Sequence, residues 1–483
     1  MDRHAINVSA KSLTVLGCGL LLAGLLLSAA TGIYAFMALP AGLLLCLVLL
    51  RNWTTAWWIL LCFIPLSAEV SVSSTLSTSL PDEPLMWVFL MVFIAGFASR
   101  PVIVQRWWWR HPLTRIVAFQ LLWLVVAVCF SKEGLLSVKF LAAKCWFLVS
   151  FFVLPPIIFR TKGDFKKAFL LVLVPLLITM VIITARQAVR DFAFVAMPES
   201  IGSLYINHVE YASVVSMFLP LVWVCQRLID ARQKLLRHLV AGLVVFFMVV
   251  VIFTYARAAV LGLAFAGLVV LAIRRRLAQY IMPAVYLVIA GTLLYLIPKN
   301  RFMVLQPDYK TTYMHTTFSE HMVATIKGRD LSSMERLYRW IAAMRMSRDE
   351  PVTGFGPHAF YTHYKPYGLD AFRTYTSNNP EHSTTHNYFL LMLTEQGWPA
   401  MLLYALLMLV AFKQAQHIYH RFRDRYYKNI TIGLAALLAV NFVNNFFSEL
   451  IETHKVGALF YLALSLLVVL DRKSRVEAAE QGG

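Results

Sequence analysis

Long apolar runs alternate with short polar connectors through most of the chain. Runs lie at 13–31, 33–50, 54–70, 85–98, 114–131, 138–158, 168–189, 209–228, 238–255, 257–273 and 280–297. After a polar stretch at 298–387 come 388–412, 430–447 and 456–470. A membrane-spanning helix needs roughly 17–25 mostly apolar residues, and several of these runs are shorter than that. The pattern predicts an all-α, polytopic integral membrane protein with about 12 transmembrane helices drawn from fourteen segments. It also divides the chain in three: an N-terminal transmembrane bundle (1–297), a large loop domain with helices (298–387), and C-terminal transmembrane helices with a tail (388–483).

Composition agrees. The chain has 483 residues, of which 59% are hydrophobic and 14% charged, where soluble domains run near 45–50% and about 25%. Yet 44 Lys+Arg against 25 Asp+Glu give a net charge of +19. This excludes a soluble globular enzyme, a disordered tail or a collagen-like fibre. Basic residues scattered between apolar runs also argue against a nucleic-acid groove, which needs them clustered on a water-facing domain.

The charges set the orientation. Alternate connectors are basic: Arg160, Lys162, Lys166 and Lys167; Arg227, Arg232, Lys234 and Arg237; Arg274, Arg275 and Arg276; Arg421, Arg423, Arg425 and Lys428. The positive-inside bias puts these in the cytoplasm, with both termini, and puts 298–387 outside. The first run resembles a signal peptide at Ser28-Ala29-Ala30, but it continues past that site and reads as an uncleaved span. All six cysteines fall in apolar segments, so no disulfide framework supports the loop. Neither a CxxC pattern nor a GxxxxGK phosphate loop is present.

The loop is too long for a mere connector. Ser332 and Glu335 read as a capping box, and Met334, Leu337, Ile341 and Met344 follow at helical spacing, predicting a helix over 333–348. Arg336 and Arg339 lie off that stripe. Such a helix suits the bilayer surface, with arginines toward headgroups, as well as a binding site. The loop ends in Glu381-His382-Ser383-Thr384-Thr385-His386-Asn387, at a membrane boundary. His382 and His386 are spaced to share a metal on a helix, but no H-E-x-x-H pattern or third ligand accompanies them. They also read as interfacial histidines, or as the source of a general base.

Three basic residues run against the charge bias: Arg186 and Arg190, one helical turn apart, and Arg257 in Thr254-Tyr255-Ala256-Arg257. Ionisable groups at the bilayer edge are costly. They either snorkel to headgroups or join Arg336 and Arg339 in a cationic cluster suited to a diphosphate. Asn441, Asn444, Asn445, Glu449 and Glu452 make the outer part of a late helix polar. They suit either sugar binding or helix–helix hydrogen bonds.

Three stretches resemble the O-antigen ligase family, polytopic glycosyltransferases that include related polymerases. Thr254-Tyr255-Ala256-Arg257-Ala258-Ala259 is similar to its T-x-S-R-G turn, with Ala256 in place of Ser. Ser333-Met334-Glu335-Arg336, Trp340 and Pro351-Val352-Thr353-Gly354-Phe355-Gly356 are similar to its R-x3-W…P-x-x-G-x-G stretch. His386-Asn387-Tyr388-Phe389-Leu390, with Glu395 and Gly397, is similar to its H-N-x-F-L…E-x-G run.

The resemblance implies a multi-pass protein of the bacterial inner membrane with its active site facing the periplasm. It implies transfer of an O-antigen glycan from undecaprenyl diphosphate to a sugar hydroxyl of lipid A–core. Carried over residue by residue, the family's essential positions are His386, Arg336 and Arg257, with the change at Ala256 bearing on the last. His386 is expected as general base and the arginines as diphosphate ligands, with Arg186, Arg190, Arg339 and Asn387 as further donor contacts. No cofactor or metal is expected, and the reaction should invert the anomeric centre. An O-antigen polymerase and a protein O-oligosaccharyltransferase share the donor and remain alternatives. A transporter or flippase of the lipid-linked glycan is the alternative of another class, and would account for Lys144, Glu395 and Asn444 without a base.

Overall fold

The computed structural model describes residues 52–73, 76–99, 106–306, 323, 330–374, 377 and 384–480. The apolar runs at 13–31 and 33–50, and His382, lie outside the described residues.

The chain is helical nearly throughout. A short helix over 52–63 (α1) leads into an antiparallel hairpin of Ala68–Ser73 (β1) and Leu76–Leu80 (β2). Then come Asp82–Ser99 (α2), Pro112–Cys129 (α3), Gly134–Leu148 (α4), Lys162–Ala188 (α5) and His208–Leu228 (α6). Lys234–Phe253 (α7), Arg257–Arg274 (α8) and Ala278–Leu296 (α9) follow. The polar loop contains Leu331–Asp349 (α10), and the chain ends with Tyr388–Arg421 (α11), Arg425–Asn444 (α12) and His454–Glu480 (α13).

Among the described residues, ten helices are long and apolar enough to cross a membrane: α3, α4 with its extension to Ile158, α5 to α9, and α11 to α13. Each matches an apolar run read from the sequence. Their number, length and apolarity suit a multi-pass membrane protein. The run at 54–70 is different. It is helical only to residue 63, and its second half forms β1, paired Ala68↔Leu80 and Glu69↔Ser79 with β2. The alternation Ala68-Glu69-Val70-Ser71-Val72-Ser73 has the two-residue period of a strand, which competes with the average hydropathy of the run.

Most connectors between successive spans are short and make them antiparallel, and the bonds Gln187–Phe253, Arg257–Asp330 and Tyr388–Asn445 bring the more distant ends together. The ends near residues 129, 188, 208, 257, 296, 388, 444 and 454 therefore share one face with the polar loop. α12 is the central helix, buried along most of its length against α6 and α8. Small residues permit this: a Cβ added to Gly262 of α8 would stand 3.1 Å from the Val440 carbonyl of α12. Between lipid-embedded helices close packing replaces the hydrophobic drive, so small side chains at contacts are favoured.

The loop is pinned to the bundle by two glycine-dependent crossings. α11 is broken at Gly397, whose φ of 78° is left-handed. Across this break Phe355 N donates to Thr394 O at 2.9 Å, Gly356 N to Glu395 O at 2.9 Å, and Trp398 N to Pro351 O at 2.9 Å. The backbones come so close that a Cβ on Gly354 would lie 2.4 Å from the Glu395 carbonyl carbon. One on Gly397 would lie 1.9 Å from Val352 O. The glycines of the two motifs thus allow one backbone to dock on the other.

Candidate functional site

α10 begins at Asp330, not at the Ser332 cap expected from the sequence. The Asp330 carboxylate accepts from Ser333 N at 3.0 Å and Ser333 Oγ at 2.6 Å. Asp330 is almost fully buried, and its second task explains the choice: Arg257 Nη2 donates to Asp330 Oδ2 at 3.2 Å. Glu335, freed from capping, receives Arg339 Nη2 at 3.2 Å, Ser377 Oγ at 2.5 Å and the Thr374 hydroxyl. Met334, Tyr338, Ile341, Ala342, Ala343 and Met346 are buried, and α10 packs on α11. The helix therefore seats in the protein, and its arginines are not displayed on a lipid-lying surface helix.

Arg257 opens α8 directly after a turn in which Tyr255 has φ 57°. The Thr254 hydroxyl donates to Val251 O at 2.6 Å, and the Tyr255 hydroxyl donates to Phe192 O. A cation at a helix N-terminus opposes the helix dipole. Ala256 at the N-cap supplies no side-chain cap either. Asp330 offsets part of this cost.

His386 stands on the short link into α11, at φ 49°. Its neighbours fix it. Trp340 Nε1 of α10 donates to Thr385 O at 3.0 Å, and Tyr388 N donates to Asn445 O at 2.8 Å. Asn387 has both ends of its amide engaged: Oδ1 caps α11 by accepting from Leu390 N at 3.1 Å, and Nδ2 donates to Phe446 O at 3.2 Å. These bonds hold the link that carries His386.

His386 Nδ1 faces Glu449 Oε2 at 3.8 Å, with the two side chains 36% and 21% exposed. Burial first, then the charges of Arg336 and Arg339, hold His386 below its usual value, down to about 3. The imidazole is therefore neutral at neutral pH. Burial raises Glu449, opposed by a hydrogen bond with Thr384 and by Arg336 and Arg339. Glu449 was visible in the sequence only as one of several polar residues on a late helix.

Arg336 is the centre of the charge cluster. Burial and then Arg257 lower its pKa, while Asp330 and Glu449 act in the other direction. Arginine nevertheless stays protonated. Among the described residues, Nε of both Arg336 and Arg339 is buried without a hydrogen-bond partner. Buried donors are nearly always paired. Arg257 and Arg339 are offset by Asp330 and Glu335, so what the cluster presents beside His386 is Arg336 and two guanidinium Nε donors with no partner, groups of the kind that pair with phosphate oxygens.

The structure therefore brings together His386, Arg336, Arg339 and Arg257. Arg186 and Arg190 lie on the same end of the bundle, but their contacts are local. Arg186 Nη1 reaches Ser200 O at 3.4 Å, and Arg190 Nε pairs with Glu199 at 3.3 Å. They flank the Arg257 turn, since Gln187 Nε2 donates to Phe253 O at 3.0 Å. Beneath the site, Lys144 Nζ pairs with Glu452 Oε2 at 2.5 Å, and Tyr388 OH donates to Glu452 Oε1 at 2.7 Å. Lys144 and Glu452 thus fasten α4 to the segment that carries Glu449. No group of three or more His, Cys, Asp or Glu side chains that could hold a metal occurs among the described residues.

Residues 241–405 match the family described as O-antigen ligase, and this supports membership of the chain in that family. The matched region contains Arg257, Arg336, Arg339 and His386. It supports an enzyme of glycosyl transfer of the O-antigen ligase and polymerase type, acting on lipid-linked glycans and lipid A-related substrates in general. No curated protein matches the chain.

Proposed function

We propose that this member of the O-antigen ligase family transfers an O-antigen glycan from undecaprenyl diphosphate to a sugar hydroxyl of lipid A–core. The reaction takes place at the periplasmic face of the inner membrane. The observation that carries the reading is the neutral His386 set beside Arg336, Arg339 and Arg257. Glycosyl transfer from a diphosphate asks for those two functions side by side.

In this reading the acceptor hydroxyl oxygen attacks C1 of the donor sugar as the bond from C1 to the diphosphate oxygen breaks. The bonding electrons leave with the diphosphate. Negative charge grows there, and fixed cations in a water-poor site stabilise it as it develops. Arg336 and Arg257 fill this role, with Arg339 and the flanking Arg186 and Arg190 drawing in the donor. The hydroxyl proton passes to His386. Because Nδ1 faces Glu449, Nε2 is the nitrogen assigned to receive it, and Glu449 stabilises the imidazolium that results. Direct attack inverts C1. The diphosphate linkage supplies the driving force without ATP, and the arginines supply the charge that a metal would otherwise bring.

The test is reconstitution. The purified protein, undecaprenyl-diphosphate-linked glycan and lipid A–core, with no nucleotide and with EDTA, should give ligated lipid A–core. A longer lipid-linked glycan with acceptor omitted would identify a polymerase instead. A glycosylated peptide would identify a protein transferase. Glycan movement with no new bond would identify a transporter. A rate lost to EDTA and restored by a divalent ion would overturn metal independence.

A further inference from the structure

A large opening in the described bundle lies at the other end from His386. It has a volume of about 490 Å³ and is walled by α5, α6, α12, α13 and the connector after α6. Phe165, Val172, Phe218, Leu221, Leu434 and Leu462 make its walls apolar. Its volume is in the range of about 300–1,000 Å³ common to small-molecule pockets. Along α6 the lining runs from Phe218 to Leu228, about 15 Å at the helical rise. That is about half of a 30 Å hydrocarbon core, the depth of one leaflet.

The mouth of this slot is polar, with one basic and one acidic residue in its lining. Lys166 lines it with Tyr426, Gln233 and Asp230. Asp230 is turned to its own loop, accepting from Arg232 N at 3.0 Å. Lys162 is committed to Asp424 at 2.6 Å. Lys166 is exposed, makes no ion pair among the described residues, and lines the slot with Cys225.

We infer that this slot holds one acyl chain of an anionic phospholipid from the surrounding bilayer, with the headgroup at Lys166. A greasy channel of leaflet depth excludes water and asks for a chain. An uncommitted ammonium at its mouth selects a negative headgroup. A basic residue at a membrane surface contributes attraction to anionic lipid. The bound lipid fills a gap against α12, whose far end supplies Asn445 to the His386 link.

Native mass spectrometry of the full chain, with phosphatidylglycerol or phosphatidylcholine added in mild detergent, tests this. The wild type should retain one phosphatidylglycerol in preference to phosphatidylcholine. Lys166→Met, a surface change that leaves folding intact, should weaken phosphatidylglycerol retention about fivefold and leave phosphatidylcholine unchanged. Cys225→Trp, which fills the slot, should reduce retention of both, with a circular-dichroism melt confirming that the variant folds. Equal retention of the two lipids, or wild-type retention by Lys166→Met or by a folded Cys225→Trp, would overturn the proposal. So would release of a polyprenyl phosphate as the bound lipid.

Discussion

His386 Nδ1 and Glu449 Oε2 face each other at 3.8 Å across the link between α11 and the segment after α12. In the proposed mechanism the carboxylate stabilises the imidazolium as it forms and leaves the other nitrogen for the acceptor. Glu449→Gln should therefore lower kcat by about 10-fold or more while leaving donor binding nearly intact, a partial loss because the base itself remains. Steady-state transfer kinetics check this. An unchanged kcat would remove Glu449 from the account.

The arginines make a separate prediction. Arg336→Lys keeps the charge but loses the planar fork that grips phosphate oxygens. It should cost about 100- to 1,000-fold in kcat, comparable to removal of one transition-state donor. Arg257→Lys should behave similarly. If either lysine variant transfers glycan at the wild-type rate, bidentate contact with the leaving group is not part of the mechanism.

The pH dependence has a definite sign. Burial, then Arg336 and Arg339, lower His386, and the base acts when neutral. The acid limb of kcat/KM, which reports the free enzyme, should therefore lie below the ordinary histidine value of about 6.5. Arg339→Gln removes a positive neighbour and should move that limb to higher pH. An acid limb at or above 6.5 in the wild type, or a shift the other way in the variant, would contradict the geometry. For stability the same depressed pKa means that folding loses free energy as pH falls through the unfolded value of about 6.5 toward the folded one.

Two substitutions probe the scaffold. Gly397→Ala places a Cβ 1.9 Å from Val352 O at a left-handed φ. It should destabilise the fold by at least about 1–3 kcal/mol, seen as a lower melting temperature in detergent. Ala256→Ser supplies the missing cap of α8 and should stabilise by about 0.5–2 kcal/mol. An unaltered melting temperature for Gly397→Ala would mean that the docking of 351–356 on α11 is loose.

Hydropathy alone located the ten candidate spans, because lipid forces each span to be long, apolar and helical. It failed at 54–70, where a two-residue alternation inside an apolar run carries a hairpin. Motif order picks out His386, Arg336 and Arg257, and the structure brings these three together. Their partners were not legible in this way, since Asp330 reaches Arg257 across 73 residues. Ser332 and Asp330 are both plausible caps by local pattern. Only the buried contact with Arg257 decides between them. The two backbone bonds of Asn387 were likewise not legible, since Phe446 lies 59 residues away.

The central claim is that His386 takes the acceptor proton beside an arginine-bound diphosphate. The most direct test is the rate of glycan transfer by purified His386→Ala and His386→Gln, alongside wild type, with donor and lipid A–core saturating. Fluorescence-detected gel filtration confirms that each variant is inserted and folded. The account predicts a loss of about 100- to 10,000-fold in kcat for both, the range removed with a general base, while donor binding persists. Folded variants that transfer glycan within a few-fold of wild type would contradict it.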